Sequence, residues 1–203
     1  MKNYISINDQ RIELTDEQVE RIVAAHRSPG FKLAEAQPGE LVKIGGYEFL
    51  VLEQLGESTA VICKDLIGEG SEFGEKSNNY DGSYVDEICN SFSGAIADAV
   101  GDDNILTHTV DLTSDDGLKD YGAVERRVSL LTTDRYRRYV DILDKFRPDR
   151  WWWLATAHST KRHENDSWAK CVSPSGDIDN DSYDYSYGVR PFCILKSNIF
   201  VSK

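Results

Sequence analysis

The chain has 203 residues, 40% hydrophobic and 29% charged, a balance that supports a packed core and excludes a largely disordered protein. Its 23 basic and 35 acidic side chains give a net charge of −12, so we expect no nonspecific binding to nucleic-acid phosphates. No apolar run approaches the roughly 20 residues of a membrane span, and the N-terminus lacks the apolar core of a signal peptide, so neither is expected.

The first 30 residues are predicted to form a small appendage. Apolar residues alternate with polar ones over residues 3–14, which predicts a hairpin with its turn at Asn8 and Asp9. Thr15 and Gln18 then have the spacing of a capping box, in which each side chain accepts a hydrogen bond from the other residue's amide. A short helix is therefore expected up to about residue 28.

Residues 31–40 are predicted to be a linker to the main domain, which spans 41–203. Two apolar runs separated by Gly45 and Gly46 predict a hairpin at the start of this domain. Further strands are predicted at 59–66, 105–112, 124–131, 151–154 and 192–195, and glycines 68, 70 and 74 are predicted to lie in a loop. The fold class is therefore α+β.

Two helices are predicted within the main domain. Apolar residues recur at helical spacing over residues 84–100, and Gly101 provides the stop signal. The second helix is expected to be capped by Thr133 and to end before Pro148. The predicted core brings Trp152, Leu154, Val189, Phe192 and Ile194 against Leu130 and against Phe92 and Ile96 of the first helix.

The cysteines and one arginine are predicted to be structural. Cys63, Cys89, Cys171 and Cys193 form no CxxC pair and, without an export signal, are expected to be reduced and mostly buried. In an apolar strand, Arg190 follows Gly188 and Val189 and precedes Pro191. Its guanidinium is expected to pair with a carboxylate or with backbone carbonyls.

Three short stretches, in this order, resemble a known domain family. They are residues 128–131 followed closely by 135–136, residues 152–156 and residues 188–191. Together they are similar to an uncharacterised domain family of gut Firmicutes and their phages, which is related to the C-type-lectin-like fold of the formylglycine-generating-enzyme superfamily. The resemblance implies two helices packed on a twisted antiparallel sheet with long loops, and it implies no activity.

The superfamily also includes the variable proteins of diversity-generating retroelements, in which adenines of a template become random bases in the C-terminal part of the gene. The resemblance therefore implies a phage or prophage protein, located in the cytoplasm or in the virion. Enzymes of the superfamily use a close cysteine pair or a three-histidine iron site. Cys171 and Cys193 are 22 residues apart, and a third histidine beside His158 and His163 is not evident.

The segment 177–187, DIDNDSYDYSY, is composed of Asn, Asp, Ser and Tyr except for Ile178. All of these types are reachable from an AAC or AAT codon by changes in its first two bases. The segment 158–168 is similarly polar and mixed, and residues 171–176 between the two have the pattern of a fixed strand and turn. This composition is typical of antibody binding loops, where Tyr supplies rigid contact area and Ser and Asn supply adaptable hydrogen bonds.

The two segments are therefore predicted to form one exposed binding face over 158–187 for an unknown protein or glycan ligand. The candidate ligand-binding residues are Ser159, Lys161, His163, Asn165, Trp168, Asp179, Asn180, Ser182, Tyr183, Tyr185 and Tyr187. If they contribute to binding and not to packing, changing the three tyrosines together to serine should alter stability little.

Other interpretations of these segments stay open. They could be plain solvated loops, or an edge strand with one aromatic face. Asp177, Asp179 and Asp181 have the first spacings of an EF-hand but lack its glycine and its final glutamate, which leaves only a looser calcium loop. His158, His163 and Glu164 could coordinate a divalent ion.

No pattern of a known catalytic site is present. The sequence has no G-x-S-x-G and no HExxH motif, and no nucleophile is paired with an evident base. We therefore expect a non-enzymatic binding module without catalytic residues, metal or cofactor. The alternatives are a metal-assisted oxidase-like enzyme of the same superfamily and a structural virion protein.

Overall fold

In the computed structural model, which describes residues 3–7, 10–19 and 30–203, the chain folds as a mixed α+β protein. Helix α1 spans Tyr84–Val100 and helix α2 spans Thr133–Leu143. The strands are β1 Asn3–Ile7, β2 Gln10–Leu14, β3 Phe31–Lys32, β4 Leu41–Ile44, β5 Tyr47–Gln54, β6 Ser58–Cys63, β7 Ile67–Ser71, β8 Ile105–Leu106, β9 His108–Asp111, β10 Ala123–Arg126, β11 Val128–Ser129, β12 Trp152–Ala157, β13 Trp168–Val172, β14 Ile178–Ser182, β15 Tyr187–Val189, β16 Phe192–Lys196 and β17 Phe200–Val201.

Two larger sheets organise the molecule. The six-stranded sheet has the order β11-β16-β6-β5-β4, with β8 also pairing with β16. The five-stranded sheet has the order β14-β13-β12-β15-β7. Pairing in both is antiparallel except between β12 and β15, which run parallel where Trp152 meets Gly188. The predicted α+β class is confirmed.

The predicted hairpin and first helix are both present, and each is set by local chemistry. Strands β4 and β5 pair from Leu41↔Leu50 to Ile44↔Tyr47. Gly45 and Gly46 connect them with φ of +58° and +85°, a conformation that glycine adopts without strain. Helix α1 begins where the Ser83 side chain accepts the amide of Asp86 and ends at Gly101, as predicted.

None of the helices among the described residues combines the length and apolar character that crossing a membrane requires.

The cap of the second helix lies one residue earlier than predicted. The side chain of Thr132, not Thr133, accepts the amide of Arg135, and Thr133 is the first helical residue. The predicted glycine loop is also partly wrong, because Gly68 and Gly70 lie in β7, which pairs with β15. Both differences arise from pairing with distant parts of the chain, such as the bond from the Thr133 amide to the Thr156 hydroxyl.

The N-terminal hairpin and the capping box are confirmed where the structure describes them. Strands β1 and β2 pair antiparallel, with Tyr4 opposite Glu13. The Thr15 amide donates to Oε1 of Gln18 at 2.9 Å, and the Gln18 amide donates to Oγ1 of Thr15 at 3.2 Å. The predicted turn at Asn8 and Asp9 and the predicted helix end lie outside the described residues.

The first residues of the predicted linker are instead part of the packed core. Strand β3 pairs with β17, and Leu33 and Ala36 are fully buried. The side-chain amide of Gln54 donates to the carbonyls of Leu33 at 3.0 Å and Ala36 at 2.7 Å. These bonds satisfy buried carbonyls, so the segment is held against the six-stranded sheet.

The core consists of two clusters, one on each side of the six-stranded sheet. Because successive side chains of a strand point to opposite faces, Phe49 and Val51 enter the first cluster while Leu50 and Leu52 enter the second. The first cluster includes the buried face of α1, and the second includes that of α2.

This division corrects the predicted core. Trp152, Leu154 and Phe192 are buried in the second cluster with α2, and Ile194 packs against that cluster half-buried. Val189 alone joins the first cluster, which contains Leu130, Phe92 and Ile96. The apolar pattern predicted correctly that these residues are packed in the core. It placed residues from both faces of the sheet against helix α1, because a single sequence does not show which helix covers which face.

The predicted structural roles of the cysteines and of Arg190 are confirmed. All four cysteines are free and buried. Burial raises the pKa of the Cys89 and Cys171 thiols to about 12, which keeps them protonated and unreactive at neutral pH. The Arg190 guanidinium, 1% exposed, donates to the carbonyls of Cys63, Lys64 and Phe146.

One buried histidine is expected to make the stability of the fold depend on pH. Only 6% of His108 is exposed, and its Nε2 lies 2.9 Å from the Ser129 hydroxyl. Its ring meets that of Phe192 edge-on, with 5.2 Å between the centroids. Burial, assisted by the positive charge of Arg135, lowers the pKa of His108 from 6.5 to about 4. The folded protein therefore keeps this ring neutral at pH values where the unfolded chain protonates it.

We expect the free energy of unfolding to fall as the pH is lowered from 6.5 toward 4, by about 3 kcal/mol from His108 alone. Above pH 6.5, the pKa of His108 in the unfolded chain, the ring is neutral in both states and this loss is absent. Between pH 6.5 and 4, protons bind to His108 in the unfolded chain but not in the folded protein, which favours unfolding. Urea unfolding near pH 7 and near pH 4 measures this loss. His108→Gln shares every carboxylate with the native chain, so an equal pH dependence in the two proteins would contradict the assignment.

Candidate binding surface

The end of the first predicted binding segment meets the second at one edge of the five-stranded sheet. Strands β13 and β14 pair so that Trp168 is directly opposite Ser182. Beyond this pair, the Tyr183 amide donates to the carbonyl of Ser167 at 2.8 Å. The end of the segment 158–168 is therefore in register with the segment 177–187, although eight residues of chain separate them.

The candidate residues differ widely in exposure. Trp168 is 41% exposed and Tyr185 is 55% exposed, which is unusual for such large apolar side chains. Exposed residues also include Lys161, His163 and Asp179; the half-buried ones are Asn165, Asn180, Ser182, Tyr183 and Tyr187. The structure thus leaves two aromatic side chains open to solvent within the paired segments.

Ser159 is not exposed, so the prediction that it lies on the surface is wrong. It is 4% exposed and donates to Oδ2 of Asp116 at 2.6 Å. The same carboxylate lies 2.9 Å from Nδ1 of His163 and accepts the Ser114 hydroxyl at 2.5 Å. Burial raises the pKa of Asp116, but these hydrogen bonds outweigh it and lower the pKa below its usual value. The charged carboxylate therefore needs Ser159 as a donor.

The rest of the segment 158–168 is held by similar contacts. Asp120 accepts hydrogen bonds from the Thr160 hydroxyl at 2.6 Å and from the Arg162 guanidinium. The side-chain amide of Asn78 donates to the carbonyls of Ser159 at 3.0 Å and Trp168 at 2.7 Å. The segment is thus anchored at several points, and it is not a plain solvated loop.

These anchoring residues were not among the site residues predicted from the sequence. Asp115, Asp116 and Gly117 have the sequence pattern of a turn, and Asn78 follows the glycine-containing stretch predicted as a loop. The turn itself is present, with a φ of +88° at Gly117. The unusual density of carboxylates around it was the one available signal of an acceptor site.

Tyr187 is a packing residue as well as a candidate binding residue. Its ring stacks on Trp151 at 5.6 Å and meets Trp153 at 4.7 Å, and its hydroxyl donates to Asp181 at 2.6 Å. Burial and the neighbouring carboxylate raise the pKa of this hydroxyl. Tyr183 is also packed against the first core cluster. Tyr183 and Tyr187 therefore also contribute to packing, and replacing the three tyrosines together is expected to lower stability.

The segment 177–187 is also not a loop throughout, because β14 forms one edge of its sheet. The amide of Asn180 donates to the Asp179 carboxylate and that of Ser182 to the Asp181 carboxylate, each at 2.8 Å. Two backbone donors of the edge strand are thus used locally. This arrangement disfavours the addition of a further strand at this edge.

The structure does not assemble either of the candidate metal sites. Across residues 3–7, 10–19 and 30–203, no three His, Cys, Asp or Glu side chains are grouped so that they could hold a metal ion. The candidate sets were His158, His163 and Glu164, and Asp177, Asp179 and Asp181. Their members have other partners: Asp177 accepts the Ser175 hydroxyl at 2.6 Å, and His163 contacts Asp116.

Comparison with known proteins shows a family match over part of the chain. Residues 114–197 match the model of a family described as a domain of unknown function, DUF6273. The matched residues are less than half of the chain and include α2 and strands β12–β15, so they contain the whole candidate surface. No curated protein and no solved structure shows a significant match.

Proposed function

We propose that the chain is a non-enzymatic binding module that presents the surface of residues 158–187 to a protein or glycan ligand. The pairing of β13 with β14, which joins the two Tyr-, Ser-, Asn- and Asp-rich segments into one surface, is the observation that supports this most directly.

The surface combines an anchored first segment with two exposed aromatic side chains. Hydrogen bonds from Asn78 and to Asp116 and Asp120 hold the backbone of the first segment. Trp168 and Tyr185 remain exposed and available as aromatic anchors, which carry much of the binding energy at protein interfaces. A rigid support with exchangeable side chains is what a display surface needs.

The proposal includes a C-type-lectin-like fold and diversification by a retroelement. The α+β class and the two helices packed on the six-stranded sheet support the first, and the codon relationship of the residue types in 177–187 supports the second. Comparison of the gene with a near-identical repeat beside it tests diversification. Mismatches confined to adenines are expected, whereas mismatches spread over all four bases would contradict it.

We expect the double substitution Trp168→Ala and Tyr185→Ser to abolish ligand binding while lowering the free energy of unfolding by no more than about 2 kcal/mol. Trp168 is 41% exposed and Tyr185 is 55% exposed, so each substitution removes only part of the packing that a core side chain would lose. The labelled native chain and the variant are compared on an array of glycans and proteins, and urea unfolding reports stability.

Phe200→Ser is the matched control, because Phe200 is 69% exposed and lies in β17, outside the proposed surface. It should bind the same array positions as the native chain. Two outcomes would count against the proposal: retained binding in the double variant, or no array position bound by the native chain.

A further inference from the structure

Three aromatic rings form a row at one side of the proposed display surface. The ring of Trp151 stacks on that of Tyr187, with 5.6 Å between the centroids and 19° between the planes. The ring of Tyr185 continues the row, 6.3 Å from that of Tyr187. Tyr185 is 55% exposed, and the other two side chains are half-buried. Aromatic surface is therefore open to solvent here, which is a common feature of protein interaction sites.

Carboxylates border this aromatic row. The Tyr187 hydroxyl donates to Oδ2 of Asp181 at 2.6 Å, so this carboxylate lies at the rim of the row. Asp179 points to the same face of β14 as Asp181, because alternate residues of a strand share a face. Asp184 is exposed and directly precedes Tyr185 in the turn that follows β14. Three carboxylates thus adjoin the row, through a hydrogen bond, a shared strand face or the chain itself.

These three carboxylates are not paired with a cation. None of the ion pairs in the part of the chain that the structure describes includes Asp179, Asp181 or Asp184. By contrast, Asp120, which anchors the segment 158–168, is paired with Arg162. Asp179 and Asp181 each accept a backbone amide at 2.8 Å, but a carboxylate has room for about four hydrogen bonds. Their charge is therefore uncompensated, and they can accept further donors.

Two basic side chains of the same sheet region are engaged elsewhere. Arg150, next to Trp151 in the chain, donates to the carbonyls of Gly68 and Glu69. Lys170 points to the opposite face of β13, where it lies 3.4 Å from Asp115. Neither pairs with the three carboxylates, so among the described residues the compensating positive charge is left for a bound partner to supply.

Exposed rings beside uncompensated carboxylates match an arginine side chain. A guanidinium is planar, stacks on aromatic faces and donates to carboxylates through a rigid fork, whereas a lysine ammonium is a compact charge without this fork. A neutral sugar can stack on the rings but leaves the negative charges uncompensated, and an acidic ligand is repelled. The net charge of −12 also attracts cationic partners over distance. Because strand addition at β14 is disfavoured, recognition is expected through side chains.

We propose that the aromatic row and its carboxylates bind an arginine-bearing segment of a protein partner. A guanidinium packs against the exposed ring of Tyr185 and donates to the carboxylates beside it. Tyr187, held by Trp151 and Asp181, supports the Tyr185 ring that it contacts. This inference rests on the proposed function, because it names the ligand class of the same surface: a protein with exposed arginines and not a glycan.

The test measures binding of the full chain to a fluorescein-labelled peptide of alternating glycine and arginine by fluorescence anisotropy. Matched peptides contain lysine or serine in place of arginine. The charge variant is Asp179→Asn with Asp184→Asn, which keeps the shape of each side chain. Its matched control is Glu57→Gln with Asp98→Asn, which changes the net charge equally at two exposed positions outside the surface. Tyr185→Leu removes the aromatic ring but keeps an apolar side chain.

We expect the arginine peptide to bind about tenfold more weakly to the charge variant and to Tyr185→Leu than to the native chain, and within about twofold of native to the control variant. The lysine peptide should bind more weakly than the arginine peptide, and the serine peptide should not bind. All substituted residues are exposed, so the variants should fold, which near-ultraviolet circular dichroism checks. No binding of the arginine peptide, equal binding of the lysine peptide, full binding by the charge variant or an equal loss in the control would overturn the inference.

The same charge variant on the array of glycans and proteins separates this inference from the proposed function. The expected result is binding of the native chain at protein positions and its loss both in the charge variant and in the double variant Trp168→Ala, Tyr185→Ser. Loss in the double variant with full retention in the charge variant would overturn the arginine specificity and leave the display surface supported. Binding of the native chain to glycans alone would do the same.

Discussion

Replacing Arg190 with lysine is expected to lower the free energy of unfolding by about 3 kcal/mol. The guanidinium donates to the carbonyls of Cys63, Lys64 and Phe146, each at 2.9 Å, and it lies over the Trp152 ring at 5.3 Å. Burial lowers its pKa to about 10, so it is charged at neutral pH. A lysine ammonium cannot reach three diverging carbonyls at once, and each buried carbonyl left unpaired costs about 1–3 kcal/mol.

Urea unfolding of Arg190→Lys measures this loss, with Arg150→Lys as the matched control. Arg150 also donates to two backbone carbonyls, those of Gly68 and Glu69, but it is exposed. Its replacement should change stability by no more than about 0.5 kcal/mol. Equal effects of the two substitutions would show that burial of the Arg190 contacts does not matter. Ligand binding by Arg190→Lys should follow its folded fraction, since this residue is not on the proposed surface.

Truncation of Trp152 to alanine is expected to cost about 3–5 kcal/mol. The side chain is 1% exposed and fills the second core cluster between Tyr136, at 5.7 Å between ring centroids, and the Arg190 guanidinium. Alanine would leave a cavity that the surrounding sheet and helix cannot close fully. The measurement is again urea unfolding, with near-ultraviolet circular dichroism to report the loss of tertiary packing.

Trp152→Phe is the control for this prediction. The indole nitrogen of Trp152 is buried without a hydrogen-bond partner among the described residues, so phenylalanine removes no hydrogen bond and keeps an aromatic ring in place. Its cost should stay below about 1.5 kcal/mol. A native-like unfolding midpoint for Trp152→Ala would refute the burial of this residue in the second cluster.

Local features of the fold follow from neighbouring residues and were predictable. The Thr15–Gln18 capping box, the Gly45–Gly46 turn and the end of α1 at Gly101 all formed as expected. In each case the chemistry that decides the conformation is contained in two to four consecutive residues: a side chain that accepts a nearby amide, or a glycine that adopts positive φ.

The character of the candidate surface was only partly predictable. Composition indicated which segments differ from ordinary core or loop, and the pairing of β13 with β14 then joined them. Composition did not indicate that Ser159 donates to Asp116 or that Tyr187 stacks on Trp151, because those partners come from elsewhere in the chain. The same residue types serve as binding, anchoring or packing groups according to what the fold places beside them.

The amino-acid sequence therefore specifies where chains turn, where helices start and stop, and which strand residues are apolar. The tertiary structure alone assigns Trp152 and Trp153 to different core clusters and packs residues 31–36 against the six-stranded sheet. It also brings Arg135 in the first turn of α2 to the carbonyl of Thr109 in β9. The reason is physical: local conformation depends on near neighbours, whereas burial and pairing depend on contacts between residues far apart along the chain.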